Sequence, residues 1–117
     1  MPLLKKHNIY LFKNKKGLIE VDSNNNRDLA IFIELLAKYK PELEDFLSTL
    51  NNALDNKFNL IEEWEWLQEL GFQIYTGIIK QDMTFDVFME DYYDLLETYP
   101  LIDIKEIVEE VLNLMEK

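Results

Sequence analysis

The chain has 117 residues, a formal net charge of −11 at pH 7 and no cysteine. Apolar residues make up 48% and aromatic residues 13%, which excludes a disordered chain and predicts a single domain over residues 1–117. Disulfide and thiolate chemistry are excluded, and no stretch approaches the roughly 18 apolar residues of a membrane span. Since residues 1–6 (MPLLKK) do not resemble a signal peptide, we expect a cytoplasmic protein.

The charge is polarised along the chain. Residues 1–19 carry five lysines and no acid, whereas all 23 acids and the other seven bases lie in residues 20–117. Between Lys80 and Lys105 there are seven acids and no base. Such a field attracts cations and basic protein surfaces, and it repels nucleic acid and anionic membranes. We therefore predict a protein partner and no nucleic-acid or membrane partner.

The first segment, residues 8–21, is typical of a β-hairpin. The short runs 9–12 and 18–21 are rich in β-prone residues, and Gly17 between them can adopt positive φ. A polar break follows at residues 22–26. Because an isolated hairpin is marginal in water, we expect it to pack on helices.

From Asn26 the apolar spacing becomes helical, which predicts a helical body over residues 27–117. Asn26 is placed to cap a first helix, and Pro41 to be the first residue of a second. Asn59 and Glu62 form a capping box for a third helix, which Gly71 can end. The pattern thus predicts helices in close succession.

The second half of the chain continues this pattern. Residues 72–80 fit either a helix or a strand, and the helical neighbours favour a helix. Thr84 is placed to cap a helix that runs to Tyr99, Pro100 stops it, and Asp103 begins the last helix. The sequence therefore predicts a mostly α fold: a compact bundle of five to six helices with an N-terminal hairpin.

Catalytic signatures are scarce. His7 is the only histidine, and Ser23 and Ser48 are the only serines, which leaves a poor basis for a serine–histidine nucleophile. The acidic runs match neither an EF-hand loop nor the Glu-x-x-His pattern of di-iron bundles, and no glycine-rich phosphate loop is present. We predict a protein that is not an enzyme, with no catalytic residues, metal or cofactor. An enzyme that uses clustered carboxylates stays open as an alternative.

Two aromatic–acidic clusters are the candidate binding surfaces. In the predicted third helix Trp64 lies on the apolar side, whereas Trp66 lies about 200° round the helix among acids and should be partly exposed. In the predicted 84–99 helix, acids and Tyr93 share the side opposite the apolar stripe. An aromatic ring framed by carboxylates suits a cationic partner, although a second packing face or a solvated face is about equally consistent with the pattern. The candidate partner-binding residues are Glu62, Glu65, Trp66, Glu69, Asp86, Glu90, Tyr93, Asp94 and Glu97.

In length, acidity, helical pattern and the clusters Glu62–Glu69 and Asp82–Tyr99, the chain resembles the small bacterial immunity proteins of toxin–immunity systems, nearest to the contact-dependent growth inhibition type. The resemblance implies a cytoplasmic inhibitor, a monomer or weak dimer, that binds one cognate toxin, commonly a nuclease. Acidic and aromatic side chains would cover the basic active site or substrate groove of that toxin. The basic hairpin departs from a uniformly acidic inhibitor and leaves the binding face open.

Two further functions stay open. A nucleic-acid mimic that inhibits a defence enzyme or repressor would space its acids along an elongated surface. A non-catalytic helical adaptor would instead present an exposed apolar groove to a partner helix.

Overall fold

The computed structural model describes residues 3–4, 8–62, 64–70, 73–89 and 94–116. Over these residues the protein has an α+β fold of three α-helices and two antiparallel sheets. The helices are α1 (Arg27–Leu36), α2 (Lys40–Leu54) and α3 (Leu101–Met115). The predicted mostly α, or all-α, bundle of five to six helices is therefore wrong.

The first sheet contains the predicted hairpin, which is confirmed. Strands β1 (Leu3–Leu4), β2 (Ile9–Lys13) and β3 (Ile19–Ser23) lie in that order, and each pairs antiparallel with the next. In the turn, the Gly17 amide donates a 2.9 Å hydrogen bond to the Asn14 carbonyl. Gly17 has φ +83°, which costs glycine little because it has no Cβ.

The second sheet takes the place of the helices predicted between Asn59 and Tyr99. Its strands β4 (Glu65–Leu70), β5 (Gln73–Ile79), β6 (Thr84–Met89) and β7 (Asp94–Pro100) lie side by side in chain order. The predicted helices beginning at Asn59 and Thr84, and the helix favoured over residues 72–80, are therefore wrong. Of the third predicted helix, the structure has a 3-10 turn at Phe58–Leu60.

Strand alternation gives this sheet an inner and an outer face. Gly77 of β5 lies opposite Trp66 of β4 on one side and opposite Val87 of β6 on the other. The side chains of Trp66 and Val87 are both buried. Phe32 of α1 and Phe46 of α2 both contact Phe85 of this inner face, with ring centroids 5.7 and 5.6 Å apart. The aromatic and β-branched residues of β5 and β6 thus build a strand surface against the helices, as their propensities favour.

The three helices begin near the predicted residues. Asn26 precedes α1, but its side chain makes no capping bond and instead accepts a 2.9 Å hydrogen bond from the Tyr99 hydroxyl. Pro41 lies in the first turn of α2, where its missing amide proton costs no helical bond. The last helix begins at Leu101, so Asp103 lies in its first turn rather than at its cap.

The α2 and α3 helices run antiparallel, since Lys40 near the start of α2 lies 3.9 Å from Glu116 at the end of α3. Their buried residues join those of α1 and both sheets in one hydrophobic cluster. None of the helices in the described part of the chain is long and apolar enough to cross a membrane.

Candidate functional site

The nine predicted binding residues do not form the two helical surfaces that the sequence suggested. Glu62 is exposed just before β4, and Glu65 and Glu69 are exposed on β4 itself. Glu97 lies on β7, which is three strands away from β4 across the sheet. With neighbouring strands about 4.8 Å apart, roughly 14 Å separates the β4 and β7 edges. Glu90 and Tyr93 lie outside the described residues. Asp94 is paired with Met89 at the start of β7.

The two tryptophans have exchanged the positions predicted for them. Trp66 is 9% exposed and packs edge-on against Phe46, with ring centroids 5.1 Å apart. Trp64 is half-buried and stacks on Phe58 at 5.8 Å. The prediction of an exposed Trp66 is wrong because a strand turns residue 66 toward the helices, whereas a helix would turn it away.

Asp86 has its charge balanced within the chain. It is 7% exposed, it accepts a 2.7 Å hydrogen bond from the Thr98 hydroxyl, and its carboxylate lies 3.3 Å from the Lys80 ammonium group. These contacts join β6 to β7 and to the β5–β6 turn. Asp86 therefore stabilises the sheet in this structure and offers little charge to a partner.

Glu65 and Trp66 do belong to a shared concave surface. Together with Leu67 they line one wall of a groove beside β4, and the start of α2 supplies the other wall. We call this surface the β4 groove; it encloses about 530 Å³ and is lined by Tyr39, Pro41, Glu42, Asp45, Glu65, Trp66 and Leu67.

Local structure explains how the two walls meet. α2 begins at Lys40, directly after the exposed Tyr39, and has Pro41 as its second residue. The first two turns of the helix carry Glu42 and Asp45. The Gln68 side-chain amide on β4 donates a 2.6 Å hydrogen bond to Glu42. Together with the contact of Phe46 with Trp66, this bond fixes the start of α2 against the strand.

The β4 groove is acidic and partly apolar. Its lining contains three carboxylates, those of Glu42, Asp45 and Glu65, and no basic residue. Tyr39 is 63% exposed and Leu67 is 54% exposed, which is high for side chains of this size. Carboxylates beside an exposed ring and an exposed leucine can bind lysine or arginine side chains through charge, ring-face contact and burial of their methylene stems.

The basic residues gather elsewhere. Lys38 and Lys40 are neighbours of Tyr39 in sequence, yet they line a separate groove together with Lys13 of the hairpin. Lys40 is also the residue that approaches Glu116. This second groove carries both signs of charge, because Glu20 and Glu34 also line it.

Burial and neighbouring groups shift the pKa values of Tyr75, Asp82 and Tyr99. Burial, followed by the nearby carboxylates of Glu97 and Asp28, raises the pKa of Tyr99. Burial and then Asp28 raise the pKa of Tyr75. A hydrogen bond from Thr84 lowers the pKa of Asp82, which is in the β5–β6 turn. These shifts bear on the stability of the fold.

The sequence prediction missed Tyr39, Glu42, Asp45 and Leu67. Pro41 marks the start of a helix and therefore places the two acids in its first turns. Nothing local, however, indicates that this helix start would meet β4, because that contact depends on the strand arrangement.

Over the described ranges, no group of three or more histidine, aspartate or glutamate residues is arranged to hold a metal ion. What the groove offers is negative charge next to apolar surface. Comparison of the chain with protein family models, with curated proteins and with solved structures finds no match.

Proposed function

We propose that this protein is a binding protein that neutralises a basic partner protein, as an immunity protein neutralises its toxin. The partner is held at the β4 groove. The observation that supports this proposal is the convergence of Glu42, Asp45 and Glu65 around exposed Tyr39 and Leu67, in a lining that contains no base. A basic nuclease toxin is the class of partner we favour, because its substrate groove must bind phosphate and can accept carboxylates instead.

The net charge of −11 supports the same role. An inhibitor of a toxin must bind before damage occurs, so its association rate matters. Opposed charge fields can raise association rates to roughly 10⁸–10⁹ M⁻¹s⁻¹ at low salt. Contacts of Tyr39 and Leu67 would then supply the specificity that charge does not.

A second surface favours the adaptor as an alternative function. Between α2 and α3, Leu47 and Leu112 form the floor of a groove that is bordered by Glu106, Glu109 and Glu110. A groove between antiparallel helices can accept an amphipathic partner helix. This α2–α3 groove lacks an exposed aromatic side chain in its lining, and we therefore favour the β4 groove.

The experiment begins with capture of binding proteins from the source organism on the immobilised chain. A parallel column carries the Asp45→Lys, Glu65→Lys variant, and mass spectrometry identifies what the first column retains and the second loses. The captured protein is then expressed in bacteria with and without this chain. The proposal predicts that the captured protein is basic, that it arrests growth by itself, and that the chain restores growth.

The proposal fails if the two columns retain the same proteins. It also fails if the captured protein is harmless in the absence of the chain. A Glu109→Lys, Glu110→Lys column, with the same charge change on the α2–α3 groove, is the matched control and should retain the partner.

A further inference from the structure

We infer that the partner enters the β4 groove as an extended segment that pairs with the open edge of β4, and that this segment carries lysine or arginine at alternate positions. The inference rests on the proposed function, because it specifies how a basic partner is bound at the same groove.

β4 lies at the end of the second sheet. The strand order is β4–β5–β6–β7, so β4 pairs with β5 on one side, and none of the other described strands pairs with its second side. A strand edge presents a row of backbone N–H and C=O groups that can pair with another chain. Natural edge strands are usually short, blocked or charged, and β4 is charged and six residues long.

The hydrogen bonds of the sheet determine which backbone groups of β4 face away from β5. The Ile79 amide donates a 2.9 Å hydrogen bond to the Trp64 carbonyl, which makes this an inter-strand bonded pair. In an antiparallel ladder bonded and non-bonded pairs alternate, so Trp66 and Gln68 bond to β5. The backbone groups of Leu67 and Glu69 therefore point away from β5, toward the open edge.

A second backbone hydrogen bond gives the same orientation for the backbone groups of β4. On the far side of β5, the Lys80 amide donates a 2.9 Å hydrogen bond to the Thr84 carbonyl. The same alternation then directs Thr76 and Ile78 toward β6, and so their partners across the β4–β5 ladder, Leu67 and Glu65, face outward.

The β4 groove lies beside this edge. The start of α2 forms the opposite wall, with Tyr39, Glu42 and Asp45 facing Leu67 across the groove. An added strand would lie about 4.8 Å from β4 and would therefore occupy this groove. The exposed Leu67 and Tyr39 side chains can pack on it from either side.

Charge determines what kind of segment fits. Glu65 and Glu69 lie on the same face of β4, two residues to either side of Leu67, and both are exposed. Cross-strand pairs of opposite charge stabilise a sheet, whereas like charges that are directly opposite destabilise it. Basic residues at alternate positions of the entering segment would face these two carboxylates.

The acidic side chains of β4 also disfavour pairing with a second copy of this chain. Two β4 strands paired antiparallel about Leu67 would place Glu65 of one copy opposite Glu69 of the other, twice in each dimer. Four carboxylates would then face each other in like-charge pairs. The edge is thus protected against self-association and open to a basic segment.

The test is amide hydrogen exchange followed by NMR on the whole protein. The probe is a capped peptide of alternating lysine and valine, about as long as β4, and the control peptide has glutamate in place of lysine. Under saturating lysine peptide we expect exchange at Leu67 and Glu69 to slow by at least about tenfold. The Trp66 and Gln68 amides are protected without peptide, because they already bond to β5, and they should change little.

Two variants provide a second readout. Leu67→Pro removes the outward N–H while leaving the bonds of Trp66 and Gln68 to β5, and an edge strand tolerates proline at such a position. Leu67→Ala keeps the N–H and shortens the side chain. We expect the proline variant to lose at least about tenfold more affinity than the alanine variant. If the proline variant does not fold, the amide exchange pattern of the unmodified protein tests strand addition by itself.

Strand addition is overturned if the lysine peptide shifts groove resonances without slowing exchange at Leu67 and Glu69, or if the glutamate peptide protects them equally. Protection that grows with protein concentration in the absence of peptide would identify a second copy as the occupant. If the peptide does not bind but the captured basic protein binds and is lost from the Asp45→Lys, Glu65→Lys variant, strand addition is wrong and the proposed function stands. If neither binds, the proposed function is wrong as well.

Discussion

The carboxylate of Glu42 accepts a 2.6 Å hydrogen bond from the side-chain amide of Gln68. The two residues are 26 positions apart in sequence, and the bond joins the first turn of α2 to the edge strand β4. It sets the distance between the two walls of the β4 groove. The bond also leaves a carboxylate at the groove in a fixed orientation, which suits recognition of a cationic side chain.

Replacement of Gln68 by alanine should weaken both the fold and the binding. A hydrogen bond to a charged group contributes about 1.5–3 kcal/mol, so we expect the free energy of unfolding in urea to fall by about 1–2 kcal/mol for this half-buried pair. Partner affinity should fall as well, because the start of α2 is no longer fixed against β4. Gln81→Ala, at an exposed turn position, is the control and should change neither quantity. Unchanged stability in Gln68→Ala would contradict this role for the bond.

Local sequence signals explain which elements could be predicted. The hairpin and the three helices follow from neighbouring residues: Gly17 in a turn, Asn26 before α1, and Pro41 in the first turn of α2. By contrast, residues 65–70, 73–79, 84–89 and 94–100 form strands whose partners lie up to 16 residues away, such as Thr84 opposite Pro100. Short apolar runs of this kind satisfy both the helical and the strand period, so the pattern cannot choose between them.

The same limit applies to the site. Glu65 and Trp66 were found because acids and tryptophan cluster there, although the side chain of Trp66 faces the core. Tyr39 and Asp45 were missed because they become neighbours of Leu67 only once β4 is a strand at the start of α2. Composition thus predicted an acidic binding surface, whereas tertiary contacts decided where it lies.

Gly77 lies in β5 at a point where the rings of Phe32 and Phe85 leave no room for a side chain. A Cβ at this position would lie 2.8 Å from the Phe32 ring and 2.9 Å from a Phe85 ring carbon, well inside van der Waals contact. Overpacking of this kind costs about 1–3 kcal/mol, and we expect Gly77→Ala to lower the free energy of unfolding by that amount.

Urea unfolding measures the effect of Gly77→Ala, and a second substitution tests its cause. Phe85→Leu removes ring atoms that the new methyl group would meet, so it should cost less stability in the Gly77→Ala background than in the native protein. If the effects of the two substitutions on stability are strictly additive, crowding against Phe85 is not the cause of the destabilisation by Gly77→Ala.

Stability at high pH should depend on Tyr99. Its pKa is raised above the ordinary 10.0, chiefly by burial and then by Glu97 and Asp28. The unfolded chain therefore loses this proton first, and the resulting stabilisation is complete below pH 10 and is lost as pH rises toward the folded pKa. We expect the free energy of unfolding to fall above pH 10, and to fall less steeply in Tyr99→Phe.

The exposed Tyr39→Phe variant is the matched control for that measurement, since it removes the same hydroxyl from a side chain that is 63% exposed. Part of the fall in the free energy of unfolding with pH should persist in Tyr99→Phe, because burial also raises the pKa of Tyr75. If the free energy of unfolding falls equally steeply with pH in the native protein and in Tyr99→Phe, Tyr99 is not the cause of the loss of stability.

The most direct test of the central claim compares two triple variants with the same change in net charge. One neutralises the β4 groove (Glu42→Gln, Asp45→Asn, Glu65→Gln), and the other neutralises the α2–α3 groove (Glu106→Gln, Glu109→Gln, Glu110→Gln). Calorimetric titration of each with the captured basic partner gives the affinities. Binding at the β4 groove predicts a loss of about 30-fold or more for the first variant and only about two- to threefold for the second. Equal losses, or a larger loss for the second variant, would contradict it.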